Sequence, residues 1–325
     1  MSLAPVLVSV YHRLYTLKRC VGALQSNAEA CETDLFIVSD GAARKADEVR
    51  VSDVRKYVGE ISGFKSVTLM ARPKNLGANR SVTGAVEDLL RKFGRLIFME
   101  DDILPSRFYL EYMNRGLDTY ADDRKIFAIC GYKSRFRLPS YYRKDLFVLQ
   151  RYSPWGIGLW AEKYFTADLS ESDRYTRLHD EKPEVFSFYQ KNDPLFLHIL
   201  KGDSTGRLKA GDVRIENHLL YSGQVCVYPR QTMTNVMETY DDAMHSGFRW
   251  CLEEKLMDAC PTDFGKIKLD VDKEIYRRFL AAKYPGLLRR FAFALRQRGV
   301  WFVLRYYTHR LIRGKSPAHP RVGTE

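Results

Sequence analysis

The chain has 325 residues, of which 45% are hydrophobic and 28% are charged, and its formal net charge is +12. This composition is typical of a soluble globular protein with one large or two modest domains, and it excludes a mainly disordered chain. Residues 1–274 contain 40 basic and 39 acidic side chains, whereas residues 275–325 contain 12 basic and one acidic. The excess positive charge therefore belongs to the C-terminal tail, which argues against a nucleic-acid binder with a basic face on its folded body.

Neither a membrane-spanning helix nor a secretion signal is expected. No run approaches the roughly 20 consecutive apolar residues that a span requires. The apolar run Ala4–Val10 has no basic region before it and is predicted to be a strand. The six cysteines are widely spaced, without a C-x-x-C pair, which favours free thiols in a reducing, cytoplasmic setting.

Strands and helices alternate in the first hundred residues. In chain order, the pattern predicts a strand at 5–11, a helix at 17–24, a strand at 35–38, a helix at 49–61, a strand at 66–70, a helix at 78–93 and a strand at 96–99. This alternation predicts an α/β fold whose parallel sheet is covered by helices on both faces. Ligands bind beyond the carboxyl ends of such strands, so three polar clusters are expected to converge on one rim. These are His12–Arg13, Ser39–Gly41 and Glu100–Asp102.

Three consecutive acids, from Glu100 to Asp102, directly follow the fourth predicted strand. Like charges that are held close together and partly desolvated repel each other strongly. A divalent cation removes this repulsion, and Mg²⁺ or Mn²⁺ typically binds one or two carboxylates together with substrate phosphates. The triplet alone therefore indicates either a metal site for a diphosphate or a solvated acidic turn before Pro105.

Five motifs follow one another along the chain: Val10-Tyr11-His12-Arg13, Ser39-Asp40-Gly41, Asn75-Leu76-Gly77, Glu100-Asp101-Asp102, and Trp155-Gly156 with Leu159-Trp160. In this order and spacing they resemble the motifs of the bacterial GT-A-fold glycosyltransferases. That group is loosely classed with the inverting family-2 enzymes and is more distantly similar to the N-acetylglucosaminyltransferase I family. The resemblance covers about residues 4–250. It implies a GT-A domain at 1–250, with a donor half at about 1–130 and an acceptor half at about 131–250, and a helical basic tail at 251–325.

The resemblance implies roles for the residues on the donor side. Asp102 resembles the acid that binds Mn²⁺ or Mg²⁺ bridging the donor diphosphate, and Asp101 would lie near the donor ribose or sugar. Asp40 resembles the residue that contacts the nucleotide base or ribose, although the sequence alone leaves open that Asp40 and Gly41 form only a turn. The remaining expected neighbours of the nucleotide or diphosphate are Tyr11, Arg13, Arg72, Asn75, Gly77, Asn79 and Arg80.

The resemblance also implies a donor-side role for one histidine. His245 stands where the family often carries a histidine that binds the metal or touches the diphosphate. The surrounding loop, 240–246, is a candidate lid. A purely structural role for His245 stays open.

Transfer with inversion requires a base that takes the proton of the acceptor hydroxyl. The segment Lys209–Asn217 and the strand predicted at 225–229 match the region where the family places that base. In this register Asp212 is the base. Glu216, one helical turn further on, is the alternative, and Asp212 could also be a simple helix N-cap.

Two tryptophans are expected on the acceptor side. Trp155 and Trp160, with Gly156 beside them, would form an aromatic wall against a sugar ring, because sugar faces stack well on indole rings. Glu162 could hydrogen-bond to acceptor hydroxyls. The alternative is that the tryptophans simply fill the core.

Residues 275–315 combine aromatic residues and arginines without a single acid. This pattern favours helices that lie on an anionic membrane surface, although they could instead pack on the body or on a second subunit.

The sequence thus predicts a metal-dependent inverting glycosyltransferase. It would move a sugar from a nucleotide-diphosphate donor, with UDP favoured by the resemblance, to a hydroxyl of a bacterial surface glycan or lipid-linked glycan intermediate. The predicted location is cytoplasmic, peripheral on the inner face of the cytoplasmic membrane. The alternatives are a sugar nucleotidyltransferase and a non-catalytic protein that binds membranes or polyanions.

Overall fold

The computed structural model describes residues 2–170, 172–237, 255–265 and 267–283. The strands are β1 (Val6–Val10), β2 (Asp34–Ser39), β3 (Ser66–Ala71), β4 (Arg95–Glu100), β5 (Ile103–Pro105), β6 (Ile126–Cys130), β7 (Leu146–Leu149), β8 (Ile157–Trp160), β9 (Val225–Pro229) and β10 (Thr234–Val236). The α-helices are α1 (Leu14–Gln25), α2 (Glu48–Val58), α3 (Ala78–Phe93), α4 (Tyr109–Thr119), α5 (Ala161–Phe165), α6 (Arg174–Glu181), α7 (Pro183–Asn192), α8 (Pro194–Ser204), α9 (Gly211–Ser222) and α10 (Lys273–Lys283). None of these described helices is long and apolar enough to cross a membrane.

Eight strands form one sheet in the order β3-β2-β1-β4-β8-β6-β9-β7, and β10 pairs with β5 in a separate ribbon. Strands β3, β2, β1 and β4 are parallel neighbours, as the alternation of strands and helices predicts. Strand β8 runs antiparallel between β4 and β6, and β7 runs antiparallel to β9. The α/β class with a mostly parallel sheet is therefore confirmed, with two reversed strands that the sequence pattern did not indicate.

Helices cover both faces of the sheet because successive strand residues point to opposite sides. Val6 and Val8 of β1 pack into a core cluster with residues of α1, α2 and α4. Leu7 of the same strand packs into a second cluster with residues of α3 and α9. The three-layer arrangement leaves the ends of the strands as the place where polar side chains can gather.

Two further helical segments pack on this body, and the second, α10, agrees with the helices predicted from residue 275 onward. Helices α6, α7 and α8 pack on one another around a third cluster that includes Val213 and Leu220 of α9. Helix α10 buries Ile275 against the sheet, and Tyr276 and Phe279 pack beside it. The beginning of the basic tail is thus part of the folded body, whose compact unit ends at Leu280. Residues 284–325 lie outside the described residues.

Candidate active site

The carboxyl ends of β1, β2 and β4 meet at one edge of the sheet. Val10 at the end of β1 pairs with Ser39 at the end of β2, and Ser9 pairs with Glu100 at the end of β4. The residues that follow each strand therefore come together, as the sequence predicts. We call this edge the rim.

Asp101 and Asp102, here called the acidic pair, are buried at the rim, with exposed fractions of 2% and 4%. The Arg13 guanidinium reaches both: Nε donates to Asp101 Oδ2 at 3.1 Å and Nη1 donates to Asp102 Oδ2 at 3.1 Å, while Nη2 contacts Asp101 Oδ1. The Thr16 hydroxyl donates to Asp101 Oδ2 at 2.9 Å. Asp101 is thus bonded on both oxygens.

Burial has the largest effect on the pKa of Asp101. It raises the pKa of Asp101 to about 6, even though Arg13 and the Thr16 hydroxyl pull that pKa down. Burial alone would lower the pKa of Arg13, but attraction to Asp101 and Asp102 outweighs it and the pKa is raised. Above pH ~6 the cluster therefore holds a charged Asp101 beside a charged Arg13.

One carboxylate oxygen of the acidic pair accepts no hydrogen bond from the described residues. Asp102 Oδ1 is buried and has no hydrogen-bond partner among the described residues. A buried carboxylate oxygen without a partner is costly unless a ligand satisfies it. Carboxylate oxygens are the ligands that Mg²⁺ and Mn²⁺ prefer, so the residues present fit a divalent cation at Asp102, with Asp101 beside it. Within the described ranges no group of three or more His, Cys, Asp or Glu forms a complete metal site, so the remaining ligands would come from elsewhere, such as phosphate and water.

Asp40 organises the loop that follows β3. Its Oδ1 accepts hydrogen bonds from the backbone N–H of Gly41 at 2.9 Å and of Leu76 at 3.0 Å. The Asn75 side-chain amide donates to the Gly41 carbonyl oxygen at 2.8 Å. Asp40 and Asn75 therefore fix the loop 73–77 against the end of β2, and a role of Asp40 toward a nucleotide stays a prediction.

Gly41 is required where this loop passes β2. A Cβ at Gly41 would clash with the Lys74 carbonyl carbon and would lie 2.7 Å from the Asn75 nitrogen, both backbone atoms. Gly41→Ala is expected to displace the loop. If the loop borders a nucleotide site, as the resemblance implies, the substitution should also weaken nucleotide binding by about tenfold or more, since positioning errors near 1 Å have such effects. Isothermal titration calorimetry with UDP checks this.

The matched control for Gly41→Ala is Gly22→Ala on α1. A Cβ at Gly22 would have no heavy atom within 4 Å, so alanine there should leave UDP binding unchanged and stabilise the helix by about 0.5–1 kcal/mol. Equal UDP affinity of Gly41→Ala and wild type would show that the loop 73–77 does not contribute to binding.

Two further predicted donor-side residues brace the rim. The Tyr11 hydroxyl donates to Asp47 Oδ2 at 3.0 Å and accepts from the Ala43 backbone N–H at 2.8 Å. Arg72 Nη2 donates to the Ser81 carbonyl oxygen at 3.1 Å, and its Nε is buried without a partner among the described residues. Both side chains hold segments that border the rim.

Helices α3 and α9 begin close to each other. Gly77 is the N-cap of α3, with φ +80°, a left-handed conformation that favours glycine, and no side chain caps this end. A Cβ on Gly211, the first residue of α9, would lie 4.0 Å from Asn79 Oδ1. The unsatisfied N–H groups of a helix start attract anions, so this corner is favourable for phosphate oxygens. Arg80, in the same first turn of α3, is exposed.

Asp212 lies in the first turn of α9 and is exposed. The N-cap of α9 is Ala210, so Asp212 is not the capping residue that the sequence left as an alternative. Because Gly211 approaches Asn79, the structure places Asp212, the next residue, near the start of α3. This placement is compatible with the predicted role as base.

Glu216, the alternative base, is buried on the same helix beside Arg151. Arg151 Nη1 lies 3.2 Å from Glu216 Oε2 and 2.9 Å from Asp193 Oδ2, and both arginine and Asp193 are almost completely buried. The guanidinium also lies 5.7 Å from the Phe196 ring and 5.5 Å from the Phe279 ring. Arg151 thus links Glu216 of α9 to residues of α8 and α10. Because the Glu216 carboxylate is already paired and buried, the geometry favours Asp212 over Glu216 as the base.

Arg151→Met is expected to lower the free energy of unfolding by about 3–5 kcal/mol, because it leaves Asp193 and Glu216 as buried, uncompensated acids. Urea unfolding followed by circular dichroism measures this loss. Arg19→Met, at an exposed position on α1, is the matched control and should change stability by less than about 0.5 kcal/mol. Similar stability of the two variants would contradict the structural role of Arg151.

The two predicted tryptophans lie at opposite ends of the same strand, β8. Trp155 and Gly156 precede β8, whose first residue, Ile157, pairs with Phe98 near the rim end of β4. Trp160 ends β8 and pairs with Arg95 at the start of β4, three residue steps of about 3.3 Å further along. Only Trp155 and Gly156 are therefore brought toward the rim.

Trp160 is buried in the core at the end of β8 that lies away from the rim. Its indole N–H donates to the Leu117 carbonyl oxygen at 3.0 Å, and the Lys163 ammonium lies 3.7 Å from its ring centroid. Glu162, in the first turn of α5, is exposed at that same end. The expected wall of Trp155 and Trp160 is thus not formed by the described structure, because the strand between them separates the two rings.

Trp155 packs edge-on against Tyr132, with ring centroids 4.7 Å apart. Its carbonyl oxygen accepts a hydrogen bond from the Thr234 hydroxyl at 2.8 Å. Gly156 has φ +88°, and a Cβ there would lie 2.9 Å from the Tyr109 hydroxyl and the Thr234 methyl group. Trp155 is therefore held near the rim against the buried Tyr132, and its role toward an acceptor stays a prediction.

His245 lies outside the described residues, and its predicted role stays a prediction. Met237, the last described residue before it, donates its backbone N–H to the Asp102 carbonyl oxygen at 2.7 Å. The chain therefore enters the segment that contains His245 directly beside the acidic pair.

Two residues of the rim were missed by sequence reasoning. Thr16 binds Asp101, and Arg55 on α2 reaches across the ends of two strands, donating to the carbonyl oxygens of Asp40 at 3.1 Å and Arg72 at 2.8 Å. The signal for Arg55 was its position beside Val54 on the buried side of α2, where an arginine needs acceptors.

The solved structures to which the chain is similar in fold include three glycosyltransferase structures. These are S. aureus TarS (13% identity, TM-score 0.39, 74% of this chain and 37% of that one), TarS 1–349 in complex with UDP-GlcNAc (12%, 0.43, 76% and 61%), and the mannosyltransferase PcManGT from Pyrobaculum calidifontis in complex with GDP-Man and Mn²⁺ (11%, 0.34, 68% and 74%). The chain thus spans 37% and 61% of the two TarS chains. No protein-family model and no curated protein matches the chain.

Proposed function

We propose that this protein is a metal-dependent inverting glycosyltransferase that uses a nucleotide-diphosphate sugar as donor. The observation that carries the proposal is the acidic pair at the end of β4, with Asp102 Oδ1 buried and unpartnered among the described residues. Asp102 would hold a divalent cation through that oxygen, and the cation would supply positive charge for the donor diphosphate at the rim. The motif resemblance of residues 4–250 supports the same reaction and favours UDP.

The proposed donor side consists of the acidic pair, Arg13 and the loop 73–77. Asp102 would hold Mn²⁺ or Mg²⁺, which when bound neutralises charge on the departing diphosphate. Backbone N–H groups at the start of α3 offer further donors to phosphate oxygens. Asp40 and Asn75 keep the loop in one position, so that the nucleotide meets a preformed surface.

The acceptor side brings in α9 and Trp155. The Asp212 carboxylate takes the proton of an acceptor hydroxyl while the hydroxyl oxygen bonds to the anomeric carbon. The bond from that carbon to the diphosphate oxygen breaks on the opposite side, so the configuration inverts. The indole of Trp155, at the rim end of β8, would offer a face or edge to a sugar ring.

The acceptor that we propose is a hydroxyl of a bacterial surface glycan or of a lipid-linked glycan intermediate. Residues 275–315 would bring the enzyme to the anionic inner face of the cytoplasmic membrane. The part of this segment that the structure describes, up to Lys283, packs Ile275 on the body. Any membrane contact would therefore depend on the residues that follow.

Deletion of residues 284–325 is expected to abolish binding to vesicles that contain phosphatidylglycerol. The deleted segment holds nine basic residues and one acid, and each basic residue near such a surface contributes about 1 kcal/mol. Flotation of the full chain and the truncated chain with these vesicles measures the difference. Equal flotation of both chains would remove the membrane proposal and leave the reaction untouched.

Product analysis distinguishes the proposed reaction from that of a sugar nucleotidyltransferase. The protein is incubated with Mn²⁺ and a panel of sugar nucleotides, and separately with nucleoside triphosphates and sugar 1-phosphates. A glycosyltransferase releases nucleoside diphosphate from a sugar nucleotide, whereas a nucleotidyltransferase releases pyrophosphate from the triphosphate. Pyrophosphate release alone would contradict the proposal.

A further inference from the structure

Arg13 is the side chain that occupies the acidic pair in this structure. Its guanidinium contacts both oxygens of Asp101 and Oδ2 of Asp102. A planar guanidinium that binds two carboxylates at once satisfies three of their four oxygens. Together Arg13, Asp101 and Asp102 carry a formal charge of −1.

Arg13 lies on the open side of this cluster. Its side chain is 20% exposed, whereas those of Asp101 and Asp102 are 2% and 5% exposed. It is the N-cap residue of α1 and makes no capping hydrogen bond through its side chain. The guanidinium is therefore held at the rim mainly by the two acids.

The charge of the cluster depends on what binds to it. A divalent cation alone would change the formal charge from −1 to +1 in a largely buried site, with Arg13 and the cation side by side. Like charges at such a place disfavour each other. A diphosphate with two negative charges returns the total to −1 and offers oxygens to the guanidinium. Cation and diphosphate should therefore bind together more readily than either binds alone.

We propose that Arg13 is an internal counter-ion of the acidic pair, which weakens divalent-cation binding in the absence of donor and couples cation binding to the arrival of the diphosphate. The coupling of cation binding to the diphosphate rests on the proposed function. The weakening of cation binding by Arg13 concerns only the chain and the cation. The free protein would thus hold its acids in a paired state, and the donor diphosphate would release Arg13 from them to bind the phosphate oxygens.

The test measures Mn²⁺ affinity by isothermal titration calorimetry, without nucleotide and with saturating UDP. Arg13→Gln is expected to bind Mn²⁺ alone about tenfold more tightly than wild type, within the usual range of coupling between sites. The gain in Mn²⁺ affinity that UDP produces should be about tenfold smaller in Arg13→Gln than in wild type. Arg19→Gln, an exposed arginine on the same helix, is the matched control and should behave as wild type in both measurements.

Removal of Arg13 leaves two buried acids without a cation, so thermal unfolding is recorded in parallel for every variant. Arg13→Lys keeps the charge but loses the planar fork, and it should show a Mn²⁺ affinity between those of wild type and Arg13→Gln. Mn²⁺ should raise the unfolding temperature of Arg13→Gln more than that of wild type.

The outcomes separate this inference from the proposed function. Equal Mn²⁺ affinity of wild type, Arg13→Lys and Arg13→Gln without nucleotide would overturn the counter-ion role. Tighter Mn²⁺ binding by Arg13→Gln, with no UDP binding by any of the proteins, would support the counter-ion role and would count against the proposed function. An equal gain from UDP in wild type and Arg13→Gln would overturn the coupling.

Discussion

Asp102→Asn is expected to lower kcat/KM for release of nucleoside diphosphate from the donor by about 1,000-fold. The substitution keeps the shape of the side chain but removes the negative charge that would hold the cation beside the diphosphate. Donor turnover at saturating Mn²⁺, with the released nucleoside diphosphate quantified, measures the loss.

The fold of Asp102→Asn should persist. Arg13 retains its contacts with Asp101, and the formal charge of the cluster changes only from −1 to zero. Asp53→Asn, at an exposed position on α2, is the matched control and should keep full turnover. An Asp102→Asn variant with wild-type turnover would show that the acidic pair does not hold the metal.

Asp212→Asn is expected to lower kcat for transfer to an acceptor by on the order of 10²- to 10⁴-fold, the usual contribution of a general base. Donor binding should change little, because the substitution leaves the acidic pair and the loop 73–77 intact. Transfer assays with a saturating donor, together with UDP titration, separate the two effects.

Glu216→Gln provides the comparison for Asp212→Asn. Glu216 is paired with Arg151, so its substitution should lower the free energy of unfolding by about 2 kcal/mol and leave kcat within a few-fold of wild type. The opposite pattern, with transfer lost in Glu216→Gln and kept in Asp212→Asn, would assign the base to Glu216.

The parallel part of the fold was predictable because its signals are local. Each of the first four strands is a short apolar run, and the helices between them repeat their apolar residues at helical spacing. Parallel pairing then places Arg13, Asp40 and Asp101 at one rim without further information. The convergence of these residues on the rim could therefore be derived from the sequence, whereas their roles toward a donor stay predictions.

The acceptor side was less predictable because it depends on strand direction. Residues 157–160 form only four residues of strand, too few for an alternating pattern to be distinctive. Strand β8 lies between β4 and β6 and is antiparallel to both. Its direction places Trp155 at the rim end and Trp160 at the other end, although only five positions separate them in the sequence.

The ionic contacts could not be predicted at all. Arg151 meets Asp193 and Glu216 from positions more than 40 residues away, and no sequence pattern indicates that these three charges are buried together. The same holds for Arg13, whose partners lie 88 and 89 residues further along the chain. In both cases tertiary packing decides which acid each arginine meets.

The most direct test of the central claim is the affinity of the wild-type protein for UDP, measured by isothermal titration calorimetry with Mn²⁺ and then with EDTA. If the acidic pair binds a cation that holds the donor diphosphate, the affinity with Mn²⁺ should be at least about tenfold higher than with EDTA. Equal affinity in the two conditions, or no binding of UDP or of any other nucleoside diphosphate with Mn²⁺ present, would contradict the account.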